Sequence, residues 1–181
     1  MRLKLLSPGE MTADQRSTYD ESIASKRGSP PPPMMAWLNS PEMARHATRL
    51  GAILRYDTSF PAKLSEIAIL VTARHWTAHY EWYAHKRLAL AGGMEPAIIE
   101  AIRQRRSPTF DDPKARIIYD LAKSLHEGHG VAQGLYDEAV SVIGERGIVE
   151  IIGLCGYYTM VSMTLNTFEF DLPDGEVSEL A

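Results

Sequence analysis

Two residues between Ser65 and Gly92 have the types and spacing to move a proton. Glu81 and His85 stand four apart, which on a helix puts both side chains on one face, one turn from each other. A carboxylate so placed orients an imidazole and raises its basicity. Glu66 supplies a second carboxylate one helix earlier, and the three lie among Ile67, Ile69, Leu70, Trp82 and Leu88. Desolvation by such neighbours is one way to bring pKa values toward neutrality. The competing reading is a surface pair of little energetic value. Trp82 and Tyr83 alongside weigh against a wholly solvated face.

The remaining chemistry-bearing groups point elsewhere. His75 and His79 are also four apart, but the ~100° step per helical residue puts His79 and Glu81 on nearly opposite sides. Helical di-metal sites use Glu-x-x-His elements from two helices, a spacing absent from this stretch, so no metal is expected. His126 and His129, in HEGHG, read as polar residues at a helix end, with His126 complementing the helix dipole, or as loop ligands. The single cysteine, Cys155, excludes an intrachain disulfide and any CxxC motif. Its run IIGLCGYY suits a buried small hydrophobe rather than an activated thiolate. No nucleophile elbow, phosphate loop or dinucleotide fingerprint occurs, and no cofactor is expected.

These residues need helices to position them. Thr12 and Gln15 form a capping box at the head of a helix that ends before Gly28. Pro30 to Pro33 predict a short polyproline II connector, and Met34 to Leu38 a brief apolar turn. Ser40 and Pro41 open a long helix whose Met43, Ala47, Leu50 and Leu54 recur at helical spacing. The helix from Pro61 is apolar nearly all round and should be central. From about Thr77 the next helix carries Glu81 and His85 and stops at Gly92-Gly93. Pro96 starts a short helix, Asp112-Pro113 caps another, LYDEAVSVIGERG forms one more, and Ile148 to Leu165 traces a long last one. Residues 1–33 are read as an N-terminal helix and connector, 34–173 as the main domain, and 174–181 as a loosely ordered acidic tail. No alternation of period two dominates, so the chain is expected to be all-α.

Composition agrees with one globular domain. At 181 residues with 45% hydrophobic and 23% charged, the chain can bury a substantial core and is neither disordered nor a membrane protein. No uninterrupted apolar run approaches the roughly 20 residues of a bilayer span, and the N-terminus lacks the pattern of a secretory signal. A cytoplasmic location is the default expectation. The net charge of −4 argues against a nucleic-acid surface. Arg103, Arg105 and Arg106, the densest basic run, complement a helix C-terminus.

The segment LSEIAILVTARHWTAHYEWYAHKRLALAGG, from Leu64 to Gly93, resembles the core of the carboxymuconolactone decarboxylase and alkyl hydroperoxidase D-like superfamily. PPPPMMAWLNSPEMARH resembles the family's entry into its first core helix, and IVEIIGLCGYYTMVSMTLNTFEFDLP its closing helix. The resemblance spans roughly Thr12 to Pro173 and implies a helical bundle of about seven helices that assembles as a trimer or hexamer. In the hydroperoxidase branch a CxxC dithiol lies between the Glu and the His; here those positions are Ala78 and Glu81, so dithiol exchange is not expected. The decarboxylase branch uses acid and base groups on a lactone carboxylate from aromatic catabolism. The resemblance thus implies a lyase or isomerase acting on a small carboxylated lactone or enolisable acid. His85 would be its general acid or base, Glu81 the orienting partner and Glu66 a second proton-transfer group. Arg74, Trp82 and His79 are the candidate substrate-binding residues. The alternative is a redox-inactive homologue that holds a small acid or a partner without turnover.

Overall fold

The computed structural model describes residues 1–26 and 28–181. Among these the chain is all-helical, with eight α-helices and no strand: α1 (Ala13–Ala24), α2 (Pro32–Trp37), α3 (Pro41–Tyr56), α4 (Ala62–His75), α5 (His79–Ala91), α6 (Pro96–Arg103), α7 (Pro113–Glu127) and α8 (Gln133–Thr167). The apolar turn after the prolines is itself helical. Pro31, at φ −70° and ψ 150°, keeps the extended geometry expected of the connector, but Pro32 and Pro33 are the first residues of α2. Proline fits there because its missing N–H has no partner in a first turn. A boundary at residue 33 therefore falls inside a helix.

At the centre is α4. Every residue from Leu64 through Arg74 is buried, as its all-round apolar pattern predicts, and α5, α6, α7 and α8 pack against it. From Leu64 to Arg74 α4 is enclosed by its own chain, so that stretch is not the surface for a subunit contact. Gly144, at φ 69° and ψ 169°, breaks α8 into two segments, matching the two helices read from the sequence. The most apolar window of α8 has a mean hydropathy of 1.5 and is 56% buried, the pattern of a core helix. Close packing of α3 on α8 relies on Gly51, where a Cβ would overlap the Tyr157 phenol. Tyr157 in turn meets Trp37 edge-on, with ring centroids 6.1 Å apart.

The tail is docked rather than loose. Leu180 is buried, Lys86 Nζ bonds Glu179 Oε1 and Oε2 at 2.5 and 2.7 Å, and Arg103 Nη1 donates to the Glu179 carbonyl at 3.1 Å. Its acidity, the feature that suggests disorder, pairs instead with the basic groups of α5 and α6.

Candidate active site: a buried carboxylate–imidazole–carboxylate array

Glu66 and His85 meet because α4 and α5 form a tight antiparallel hairpin. The Ala78 N–H bonds the Ala73 carbonyl at 2.9 Å and the Thr77 N–H bonds the Arg74 carbonyl at 3.2 Å, the paired bonds of a Schellman helix end. Thr77 takes the left-handed position at φ 48°, where glycine is usual. Glu66 lies ten residues before Trp76 and His85 nine after it, so the hairpin brings them level. His85 Nδ1 is 2.6 Å from Glu66 Oε2, and Nε2 is 2.9 Å from Glu81 Oε1 one turn back along α5. The three residues are 6, 5 and 4% exposed for Glu66, Glu81 and His85.

Burial alone would strip the imidazole of its proton. The charges of Glu66 and Glu81, and the hydrogen bonds from each, outweigh that and raise the His85 pKa from 6.5 to about 9. At neutral pH the array is therefore an imidazolium donating to two carboxylates, with one net negative charge. Tyr158 packs edge-on against His85 at 4.9 Å between centroids. Burial, reinforced by Glu81 and Glu66, pushes its phenol well above the ordinary value, so it stays a neutral O–H donor.

The array borders a cleft of about 90 Å³. Pro31, Pro32 and Pro33 form one wall, Arg55 from α3 and Tyr80 from α5 stand beside Glu81 and His85, and Tyr157 and Tyr158 close it from α8. Both His85 nitrogens are occupied, whereas Glu81 has no second partner among the described residues. Glu81 is thus the member placed to meet a bound molecule. Arg55 makes no ion pair among the described residues, only a stacking contact with the Tyr56 ring at 5.6 Å. A half-buried guanidinium beside a net-negative array is suited to hold an incoming carboxylate. Sequence reasoning missed Arg55, Tyr158 and the proline wall, because their convergence depends on how α2, α3 and α8 cross.

The expected substrate-binding residues lie elsewhere. Arg74 clamps three segments, donating from Nε to the Arg103 carbonyl at 2.7 Å, from Nη1 to Thr77 Oγ1 at 3.1 Å and from Nη2 to the Ala181 carbonyl at 3.0 Å. Trp82 is 1% exposed and donates to Glu179 Oε2 at 3.3 Å beneath the tail. His79 pairs with Ser178 Oγ at 2.5 Å. Position in the sequence does not specify which helix face each of them occupies. Burial holds the Cys155 thiol up at about 11, consistent with a buried small hydrophobe. His126 does more than complement a dipole: it bonds Thr72 Oγ1 at 2.8 Å and stacks on His75 at 4.7 Å.

No family model and no curated protein matches the chain. Among solved structures, it is similar to the crystal structure of an alkylhydroperoxidase AhpD core, an uncharacterized peroxidase-related protein from Ralstonia eutropha JMP134. That likeness has a TM-score of 0.75 at 13% identity and covers 96% of this chain and 92% of the other. Coverage of nearly the whole of both chains carries the likeness through the complete helical arrangement. The chain therefore has the fold of the alkylhydroperoxidase AhpD core.

Proposed function

We propose that the chain is a carboxymuconolactone decarboxylase-like enzyme that moves protons on a small carboxylated lactone or related enolisable acid, without a cofactor and without dithiol peroxidase chemistry. The observation that carries this reading is an imidazole hydrogen-bonded to a buried carboxylate on each nitrogen, opening through Glu81 onto a cleft that also contains Arg55. Arg55 holds a substrate carboxylate. As the carbon–carboxylate bond breaks and CO₂ leaves, its electron pair passes into the adjacent carbonyl as an enolate. The Tyr158 O–H donates to the developing oxyanion. The proton held by His85 passes through Glu81 to carbon, Glu66 steadies the imidazole, and solvent reprotonates the array. Without loss of CO₂, the same groups run an enolisation, with Glu81 taking the proton.

This assigns Glu81 the contact with substrate and His85 the role of proton reservoir, the reverse of the order suggested by spacing. The mismatch with the hydroperoxidase branch is local and complete, since Ala78 and Glu81 occupy the dithiol positions. A cytoplasmic role in aromatic catabolism is part of the proposal, as is a homo-oligomer, trimeric or hexameric. Leu50 and Ile53 on α3, with Val149 and Ile152 on α8, are exposed and apolar, and they offer the subunit contact that α4 does not. A monomer mass in light scattering would remove that part.

The alternative is a redox-inactive binding homologue, favoured by the modest cleft volume and by the absence of a free His85 nitrogen. A panel of carboxylated lactones and keto acids separates the two. Wild-type turnover abolished by Glu81→Gln and His85→Ala, with Arg55→Gln raising KM about 10-fold or more, supports catalysis. Ligand binding with no wild-type turnover supports the binding module.

A further inference from the structure

A second pocket, of about 40 Å³, lies at the other end of α4 from Glu66. Arg74 and His75 line it from α4, Arg105 from the turn after α6, and Lys123, His126 and Glu127 from α7. Three basic side chains thus line it with one carboxylate. Arg74 is nine-tenths buried, and only three of its five N–H donors are taken by the described residues. Lys123 makes no ion pair among the described residues, and its ammonium lies over the Tyr119 ring at 6.0 Å. Arg105 Nη2 donates to the Arg74 carbonyl at 3.1 Å, which leaves its other donors unpaired among the described residues. Its backbone sits at φ 57°, the left-handed end of a Schellman motif formed by Arg106 N to Ala101 O at 2.8 Å and Arg105 N to Ile102 O at 2.9 Å. Glycine is the usual residue at such a position.

The histidines refine the ligand chemistry. Thr72 Oγ1 donates its one proton to the Ala68 carbonyl at 2.8 Å, so it accepts from Nε2–H of His126 at 2.8 Å. The neutral ring then carries its lone pair on Nδ1, which has no partner among the described residues. Burial, and His75 beside it, lower the His126 pKa to about 4, so the ring is neutral near pH 7. The pocket therefore presents several cationic donors and one acceptor.

We propose that this pocket binds inorganic phosphate in a protonated form. Its ionised oxygens accept from Arg74, Arg105 and Lys123, and its P–O–H donates to His126 Nδ1. The volume holds one tetrahedral oxyanion in place of a few waters. Sulfate has the same shape but no proton near neutral pH, so it sets an acceptor oxygen against the Nδ1 lone pair where phosphate sets a donor. A phosphomonoester, whose second pKa is about 6, has largely lost its P–O–H at pH 7.5.

Calorimetric titration of the full chain at pH 7.5 and fixed ionic strength tests this with inorganic phosphate, sulfate and methyl phosphate. Inorganic phosphate is expected to bind about 10-fold or more tighter than either of the others. Arg105→Gln and Lys123→Gln should each weaken phosphate about 10-fold, and Glu127→Gln should strengthen it. His126→Phe, with unchanged Tm, should remove the preference for phosphate over sulfate. No phosphate binding, equal binding of sulfate or methyl phosphate, or affinity unchanged in the Arg105 and Lys123 variants would each overturn the proposal.

Discussion

Raising the pH past neutrality should unload the central array, and the size of the effect follows from its geometry. His85 shifts from 6.5 to about 9 on folding, and at 1.36 kcal/mol per unit this is about 3 kcal/mol of stability. The folded-state pKa is the higher one, so this contribution is complete below pH 6.5 and is lost as pH rises through about 9. In a domain of this size that corresponds to a fall of about 6–12 °C in Tm. Tyr158 and Cys155 also have raised values and destabilise the fold at still higher pH. Subtracting the profile of His85→Gln removes their shared contribution. Denaturant unfolding from pH 6 to 9.5 should show wild type losing stability more steeply, by up to about 1.4 kcal/mol per pH unit. The ¹⁵N shifts of His85 should report titration near 9. Parallel stability profiles, or an imidazole titrating at or below 6.5, would refute the charged array.

Three further outcomes follow from the packing. His85→Ala leaves two buried carboxylates facing one another and should cost about 3–5 kcal/mol in denaturant unfolding, whereas the triple replacement Glu66→Leu, Glu81→Met, His85→Leu should be neutral or stabilising by about 1–4 kcal/mol. That contrast would show that the array is not kept for stability. Gly51→Ala, which drives a methyl into the Tyr157 phenol, should destabilise by about 1–3 kcal/mol by calorimetry. Deleting residues 174–181 uncovers Trp82 and removes the Leu180 anchor, so tryptophan emission should shift to the red and stability fall by about 2 kcal/mol.

Much of the scaffold could be read from local pattern. The Thr12–Gln15 capping box forms as expected, with Thr12 N to Gln15 Oε1 at 2.9 Å and Gln15 N to Thr12 Oγ1 at 3.4 Å. The apolar run of α4 is the centre of the bundle. The Glu81–His85 pair was legible because four-residue spacing is a property of a single helix, and Glu66 because its helix is the next one along. Arg74, Trp82 and His79 could not be placed by the same logic. They sit on faces of α4 and α5 chosen by the docked tail and by the turn after α6, contacts between residues as far apart as Trp82 and Glu179. Arg55 was unreadable for the complementary reason: nothing in α3 alone indicates that it ends level with His85. The tail misled because acidity suggests solvation when the opposing basic surface is unseen.

Solvent-deuterium incorporation at substrate carbon, followed by NMR across carboxylated lactones and keto acids, tests proton transfer by the array most directly, since it reads the proton and not the product. The account predicts incorporation by wild type with at least one of these acids, abolished in Glu81→Gln and retained at saturating substrate in Arg55→Gln. Incorporation that survives Glu81→Gln unchanged, or that no acid in the panel supports, would contradict it.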